Sequence, residues 1–245
     1  MQRRILTLAA LAVALLLAGT ARQALAVAEV HKFNVVVSAM PTYIKGGDFA
    51  DDLDYINKNF LEAQGLAPLA PITYGWLYQG ELRYMVRPSW AAHVSVGQLK
   101  VQTKREYLPA LNVSVQLRQE ILSVPVSLGG SYYFQPYNQG DFQARGYFGG
   151  GLMGVATNRV TTSQYITGTG SSLGSFENKF DALAPGWFTE GGVHMFFASR
   201  FSVLLGGIYR SAKIEALLDR ETHEPAYSPP PDVHPLSMDL SGVGA

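Results

Sequence analysis

The chain has 245 residues, with 19 basic and 19 acidic side chains and no cysteine. Charged residues make up 16% of the sequence, against about 25% in average soluble domains. Without cysteine a disulfide-stapled scaffold is excluded. Without a basic surplus, a nucleic-acid partner is not expected.

The N-terminal segment predicts secretion. Arg3 and Arg4 precede an uninterrupted run of apolar and small residues at 5–18, and Ala24 and Ala26 match the small-x-small cleavage pattern. These features are typical of a signal peptide that is cleaved after Ala26. The alternative is an N-terminal membrane anchor, but the apolar run is shorter than the ~20 residues that a spanning helix needs.

Cleavage would leave one domain at 27–245 as the mature protein. The leader at 1–26 carries three arginines and no acid, so the mature chain has 16 basic and 19 acidic residues. No cysteine follows the apolar run, which excludes a lipid-anchored lipoprotein. No later apolar stretch is long enough for a spanning helix. A chain this poor in charge can still cross a membrane with strands that are apolar on one face only.

Alternating polarity is the strongest signal in the mature sequence. Between Ile72 and Val86 the even positions are mostly aromatic or aliphatic, and the odd positions carry most of the polar groups. Strict alternation predicts β-strands with one apolar face. Similar patterns recur along the chain. We predict eight strands, at 32–40, 72–86, 91–103, 122–134, 142–157, 185–198, 201–214 and 236–245.

The connections between the predicted strands alternate in length. Those at 41–71, 158–184 and 217–235 are long, and most of the others are short. Outer-membrane barrels likewise have long external loops and short periplasmic turns. The first long connection contains apolar residues at helical spacing and acids in its first turn. This pattern predicts a helix at 48–64 that Gly65 ends.

Together these features predict an all-β fold, an eight-stranded antiparallel up-and-down transmembrane β-barrel with one short helix in the first external loop. The alternative is a secreted soluble β-barrel or sandwich, but Tyr and Trp near the strand ends are typical of membrane belts. Eight strands enclose a space that side chains fill, so charges of both signs should pair there. The predicted lumen network consists of Glu81, Arg83, Arg118, Glu120, Arg145, Glu190, Arg210 and Asp239.

Several segments resemble the small outer-membrane β-barrel domain family, the group around the membrane domain of outer membrane protein A and the opacity-type proteins. The resemblance is one of pattern, is carried by 121–134, 146–152, 190–193 and 201–209, and covers most of the mature chain. It implies the outer membrane of a Gram-negative bacterium and insertion by the barrel assembly machinery. Members usually end on an aromatic residue, whereas Ala245 stands here, which puts pairing of the first and last strands in doubt.

No pattern points to a cofactor, a metal centre or a catalytic site, and the five histidines lack zinc-ligand spacing. We expect a structural or surface-interaction protein that is not an enzyme. Its partners would be outer-membrane lipids and an external ligand bound by loops 41–71 and 158–184. One alternative is a narrow, porin-like channel for small or hydrophobic solutes. Another is a lumen-facing lipid hydrolase that uses His194 and Glu190, which share an inward face.

Overall fold

The protein is described by a computed structural model that covers residues 32–110, 113–139, 142–168, 171–197, 201–228 and 233–245. The expected leader, with Ala24 and Ala26, lies outside the described residues. No helix within the covered ranges is both long and apolar enough to cross a membrane. Most of the described residues lie in β-strands, which confirms the prediction of an all-β chain.

Eleven strands are present in the described part of the chain, and the seven long ones run from 11 to 27 residues. Strands of globular sheets usually have about five or six residues. The strands are β1 (Phe33–Tyr43), β2 (Tyr74–Arg87), β3 (Trp90–Ala110), β4 (Val113–Tyr133), β5 (Tyr137–Gln139), β6 (Phe142–Gly168), β7 (Ser171–Phe197), β8 (Phe201–Ile214), β9 (Leu218–Asp219), β10 (Met238–Asp239) and β11 (Gly242–Gly244).

Eight of these strands pair in a closed antiparallel ring, in the order β1, β2, β3, β4, β6, β7, β8 and β11. The ring closes where β11 pairs with β1 through Thr42 and Gly244 and with β8 through 242–244. The short strands β5, β9 and β10 pair with β6, β7 and β8. The eight predicted strands therefore correspond to the eight strands of the ring, and the last of them has three residues.

The two ends of the ring differ. We call the end where β1 finishes at Tyr43 and β2 begins at Tyr74 the helix end, and the end where 88–89 join β2 to β3 the turn end. Side chains along β2 alternate between buried and exposed positions, so one set faces the interior and the other faces outward. The apolar face predicted for this strand is the outer one: Tyr74, Trp76, Tyr78 and Tyr84 are exposed.

Four strands continue beyond the ring at its helix end. β3 pairs with β2 only as far as Val101, and β7 pairs with β8 only from Gly186 onward. Beyond these points both strands run on beside β4 and β6 and form a four-stranded projecting sheet. The prediction of a loop at 158–184 is therefore wrong, because this segment extends the β6–β7 hairpin until Gly168 pairs with Ser171. Apolar and polar residues do not alternate regularly along 158–184, so the pattern that predicts a strand is absent there.

The first long connection contains the predicted helix. α1 (Asp48–Ile56) continues as a π-helical turn at Asn57–Leu61 and a 3-10 turn at Glu62–Gln64. Gly65 then adopts a φ of 71°, the left-handed conformation that commonly ends helices. The helix predicted at 48–64 is confirmed.

α1 closes the helix end of the ring with its apolar side. Phe49 and Leu53 are each 1% exposed and belong to one buried cluster with Ile72, Met238 and Leu240. The connection before β2 and the segment around β10 thus bury apolar side chains together with the helix. This packing forms a plug that covers the interior at the helix end of the ring.

The interior of the ring divides into two layers. The helix-end layer is mostly apolar and contains Leu99, Ile121 and Phe188 beside the buried Arg210, whereas the turn-end layer contains buried polar groups such as Arg83 and His93. From the sequence, this space was expected to be filled by polar and charged side chains. The apolar layer differs from that expectation. Its residues occupy inward positions, where the alternating pattern predicts polar side chains.

Asp48, at the start of α1, connects the helix to the segment before β10. Its Oδ2 accepts a hydrogen bond from the backbone N–H of Ser237 at 3.1 Å and lies 3.1 Å from Nε2 of His234. Burial alone would raise the pKa of Asp48. Hydrogen bonds from Ser237 and His234, with the charge of His234, outweigh burial and hold the pKa below its ordinary value of 3.8.

We predict that acid loosens α1 through this carboxyl. A group whose pKa is depressed on folding contributes stability above its unfolded pKa, and that contribution is lost as the pH falls through the folded value. Hydrogen-exchange protection of 48–64 should therefore be complete near neutral pH and should fall below about pH 4. Asp48→Asn should have lower protection at neutral pH and a flatter acid profile, whereas Asp51→Asn should follow the wild type. Identical acid profiles in Asp48→Asn and the wild type would contradict this role.

Candidate functional site

A buried polar cluster occupies the turn-end layer of the ring. Five strands contribute to it, because alternate residues of each strand point into the ring. Its members are Glu81 and Arg83 on β2, His93 on β3, Ser131 and Tyr133 on β4, Tyr147 on β6, and Glu190 and His194 on β7.

Arg83 is the centre of the polar cluster and is 0% exposed. Its Nε donates to Oε1 of Glu81 at 2.5 Å, and one terminal nitrogen donates to Oε1 of Glu190 at 3.0 Å. The other terminal nitrogen donates to the hydroxyl of Tyr133 at 2.7 Å, and the guanidinium lies 5.1 Å from the ring centroid of Tyr147. A buried charge is tolerated only when it is paired and hydrogen-bonded, and Arg83 meets both conditions.

His93 lies between the two carboxylates. Its Nδ1 is 3.7 Å from Oε2 of Glu81, and its Nε2 is 3.5 Å from Oε1 of Glu190. Ser131 donates its hydroxyl to Oε1 of Glu190 at 2.7 Å. Because Arg83 binds the same two carboxylates, the cluster links β2, β3, β4 and β7 across the interior.

His194 lies nearer the turn end and is also fully buried. Its Nδ1 is 3.1 Å from the hydroxyl of Tyr133, and its ring stacks on Phe196 with centroids 4.1 Å apart. Glu190, on the same strand, binds Arg83 and Ser131. His194 and Glu190 therefore contact different neighbours.

Two of the predicted network residues face the interior but bind neutral oxygens. Arg145 donates to the carbonyl of Pro88 at 2.6 Å, in the turn between β2 and β3. Arg210 donates to the hydroxyl of Thr42 at 2.6 Å and to the carbonyl of Leu240 at 3.2 Å. Arg210 therefore joins β8 to β1 and to the segment before β11, where the ring closes.

The other three predicted network residues do not face the interior. Arg118 and Glu120 bind each other and occur in the same phase of β4 as the exposed Leu128. Asp239 pairs with Lys213, an exposed residue in the outward phase of β8. Their assignment to the lumen is wrong. β3 and β4 keep one register from the Tyr107–Val115 pair to the Trp90–Tyr132 pair, so Arg118 and Glu120 stay in the same phase as Leu128.

The uncharged members of the cluster were not predicted from the sequence. The prediction relied on formal charges, whereas Tyr133 accepts a hydrogen bond from Arg83, Ser131 donates one to Glu190, and His93 lies between the two carboxylates. A usable signal existed, since all three occupy odd positions in strands whose even positions are apolar. Strand register decides which polar residues meet across the ring. Alternation alone does not fix that register.

Buried side chains fill much of the space inside the ring. One cavity of about 20 Å³ lies between the two layers and is lined by Leu77, Ser95, Phe188 and Arg210, among others. A space of this size holds about one water molecule. Glu190 is bound by Arg83 and Ser131, and His194 lies against Tyr133, so the arrangement can rigidify the ring.

Within the described residues no group of three or more His, Asp or Glu side chains is arranged to hold a metal ion. No protein-family model, no curated protein and no solved structure matches this chain.

Proposed function

We propose that this chain is a bacterial outer-membrane protein whose ring is a transmembrane β-barrel, with a structural and surface-contact role. The observation that carries the proposal is the apolar outer face of the ring. In hydrocarbon every backbone polar group must be paired within the protein, so only a closed sheet can cross. Such a barrel presents an apolar band to lipid.

The outer face exposes large apolar side chains on strands all around the ring. Val37 is 82% exposed, Leu128 68%, Leu152 73% and Leu205 60%. Leu128 and Leu152 are cross-strand partners on β4 and β6, so the exposed groups are contiguous. Soluble monomers rarely expose contiguous apolar patches larger than a few hundred Å². Contact with lipid accounts for this face, which a soluble barrel or sandwich would turn inward.

Aromatic side chains occur toward both ends of this apolar face. Tyr and Trp are enriched at the two interfaces of a membrane, because one part of each ring system is apolar and the other is polar. At the turn end the ring pairs are Phe33 with Tyr84 and Trp90 with Tyr132, and toward the helix end they are Tyr43 with Tyr74 and Trp187 with Tyr209.

The apolar band also has a polar boundary toward the helix end. On β3 the outward side chains change from Val94 and Val96 to Lys100 and Lys104. On the adjacent strand, Glu120 lies within 4.0 Å of Lys100 and binds Arg118. Charged side chains at this level of the barrel would lie in the headgroup region of the membrane. The projecting sheet would then extend into the water outside the cell.

The proposed barrel is closed to solute flow. The polar cluster fills the turn end, apolar side chains fill the middle, and α1 covers the helix end. These features favour a structural role over a narrow channel. They also disfavour a lipid hydrolase, because His194 and Glu190 are buried and bind other groups.

Surface contacts would be made at the helix end, by the connection 41–71 and by the projecting sheet. Leu108 is 77% exposed near the tip of the β3–β4 hairpin, among charged neighbours such as Arg105 and Glu106. The β6–β7 hairpin takes the place of the loop that was expected at 158–184. Exposed segments on a rigid scaffold are common sites of binding.

The outer membrane is proposed as the location from the resemblance to small outer-membrane β-barrel domains and from the secretion signal predicted at 1–26. The same resemblance supports insertion by the barrel assembly machinery. The apolar band supports the membrane itself, independently of that resemblance.

The proposal is tested by expressing the chain and fractionating the cells. The protein should be found in the outer-membrane fraction and should migrate faster on a detergent gel when unheated than when boiled. A compact barrel that resists detergent until heated gives this shift. Recovery in the soluble periplasmic fraction, with a single band that heating does not move, would contradict the proposal.

A further inference from the structure

Three basic side chains lie close together on the outer face of β3 and β4, just beyond the apolar band. Lys104 on β3 is directly opposite Arg118 on β4, and Lys100 lies four residues nearer the band. Like charges at directly opposed positions destabilise a sheet. An anion bound between them would remove this repulsion. We call these three residues the basic patch.

Carboxylates on the same face offset only part of the charge of the basic patch. Glu120 binds Arg118 and lies 4.0 Å from Nζ of Lys100, so these two cations converge on it. Glu106, two positions beyond Lys104, is the second carboxylate, and three cations therefore face two acids. Among the described residues Lys104 forms no ion pair, and Nε of Arg118 is buried without a hydrogen-bond partner. The patch thus keeps a positive charge and unused donors.

A shallow groove crosses the apolar band beside the basic patch. It has a volume of about 460 Å³ and lies along β1, β2 and β3. Gly80 is in the middle of it, with Val37 of β1 opposite on one side and Val96 of β3 on the other. A Cβ added at Gly80 would meet no atom within 4 Å, so the space above this residue is open. The groove offers an apolar surface to an alkyl chain.

The groove and the basic patch are continuous along β3. Gln98 lines the groove and is two residues from Lys100, so both side chains lie on the outer face. Trp76 of β2 pairs with Lys100, and its ring stacks on that of Tyr78 with the centroids 6.3 Å apart. Tyr78 also lines the groove. A molecule with an anionic head and an apolar tail would contact both features at once.

We propose that the basic patch and the groove together bind one lipid that has a negatively charged phosphate headgroup. This inference rests on the proposed function, which places the patch at the level of the headgroups. The phosphate oxygens would accept hydrogen bonds from Lys100, Lys104 and Arg118, and such charge-assisted bonds are the strong ones. One acyl chain would lie over Gly80. Free phosphate would lack the contacts that the groove provides.

The headgroup is tested on the purified full chain in dodecyl maltoside, with native mass spectrometry counting bound lipid. Dimyristoyl phosphatidic acid and dimyristoyl phosphatidylcholine have the same acyl chains, and only the first should be retained as one molecule per chain. Lys104→Gln should raise the Kd for phosphatidic acid at least about fivefold, because it removes a hydrogen bond to a charged group. Lys104→Arg, which keeps the charge, should bind as the wild type does. The matched control is Lys213→Gln, at an exposed position on β8, which should change the Kd by less than about twofold.

The groove is tested with Gly80→Leu, which fills it. This variant should raise the Kd for dimyristoyl phosphatidic acid at least about fivefold, because the leucine takes the place of the acyl chain. Its Kd for dibutyryl phosphatidic acid should equal that of the wild type, since the short chains do not reach the groove. Gly154→Leu is the matched control: Gly154 shares the outward phase of Leu152 on β6, also has open space above it, and lies outside the groove.

Heat-shifted migration on detergent gels shows which variants are folded, and only folded variants are compared. Equal affinity for the two dimyristoyl lipids, or equal losses in Lys104→Gln and Lys213→Gln, would overturn the inference. Displacement of the lipid by inorganic phosphate at the lipid's own concentration would also overturn it, because the site would then be one for a simple anion. Lack of lipid selectivity in a protein that inserts into vesicles rejects the lipid site alone. Recovery of the chain in the soluble periplasmic fraction rejects the proposed function, whichever lipid it retains in detergent.

Discussion

Replacing Arg83 with methionine is expected to lower the free energy of unfolding by about 3–5 kcal/mol, because it leaves buried carboxylates without their cation. Arg83 binds Glu81 and Glu190 directly and is wholly buried. Methionine has a similar length, so little volume is lost. Unfolding by urea in detergent micelles, followed by tryptophan fluorescence, measures the change.

Two further variants separate the charge effect from packing. Arg83→Met combined with Glu190→Gln should recover part of the loss, because one of the two uncompensated carboxylates is then neutral. Arg87→Met, on the same strand but exposed, should change stability by less than about 0.5 kcal/mol. If Arg83→Met is no less stable than Arg87→Met, the polar cluster does not stabilise the pairing of the strands.

Replacing Leu128 with arginine should destabilise the folded protein in lipid vesicles by about 2–4 kcal/mol, the range for a basic residue on the lipid face near the bilayer centre. Leu128 lies on the outer face of β4 between Tyr132 toward the turn end and Glu120 toward the helix end. Its side chain is exposed in the isolated protein. A soluble protein would accept arginine there without loss, so the variant discriminates between the two environments.

Leu108→Arg is the matched control. Leu108 is also exposed, but it lies beyond the apolar band, near the tip of the β3–β4 hairpin. The same substitution there should be nearly neutral in vesicles. Equal effects at Leu128 and Leu108, measured by urea titration of the vesicle-inserted protein, would contradict the assignment of the outer face to lipid.

Much of the ring could be predicted from the sequence, because alternation is imposed by the pleat itself. The strand at 201–214 was predicted with its observed limits, and β2 was displaced by no more than two residues. The helix at 48–64 was also predictable, since its apolar spacing and the terminal Gly65 are local signals. These features depend on neighbouring residues and not on distant parts of the chain.

Features that depend on long-range pairing were not predictable. The segment 158–184 is rich in small and polar residues, and only its partner strands reveal that it is a hairpin. Arg118 and Glu120 were placed inside although their even positions match the outward Leu128. The error arose because the charge of these residues was given more weight than their position in the alternating pattern of the strand. His93 was missed because its two carboxylate neighbours come from β2 and β7, which are distant in sequence.

The central claim is that lipid surrounds the ring, and a labelling scan along β4 tests it most directly. Single cysteines at 122–132 would carry a nitroxide in vesicle-inserted protein, with collisions measured against oxygen in the lipid and against a nickel chelate in water. Oxygen accessibility should peak at the outward Val126 and Leu128 and fall at the inward Ser127 and Gly129, with a period of two. Outward positions that are reached by the nickel chelate as readily as Leu108 would contradict the claim.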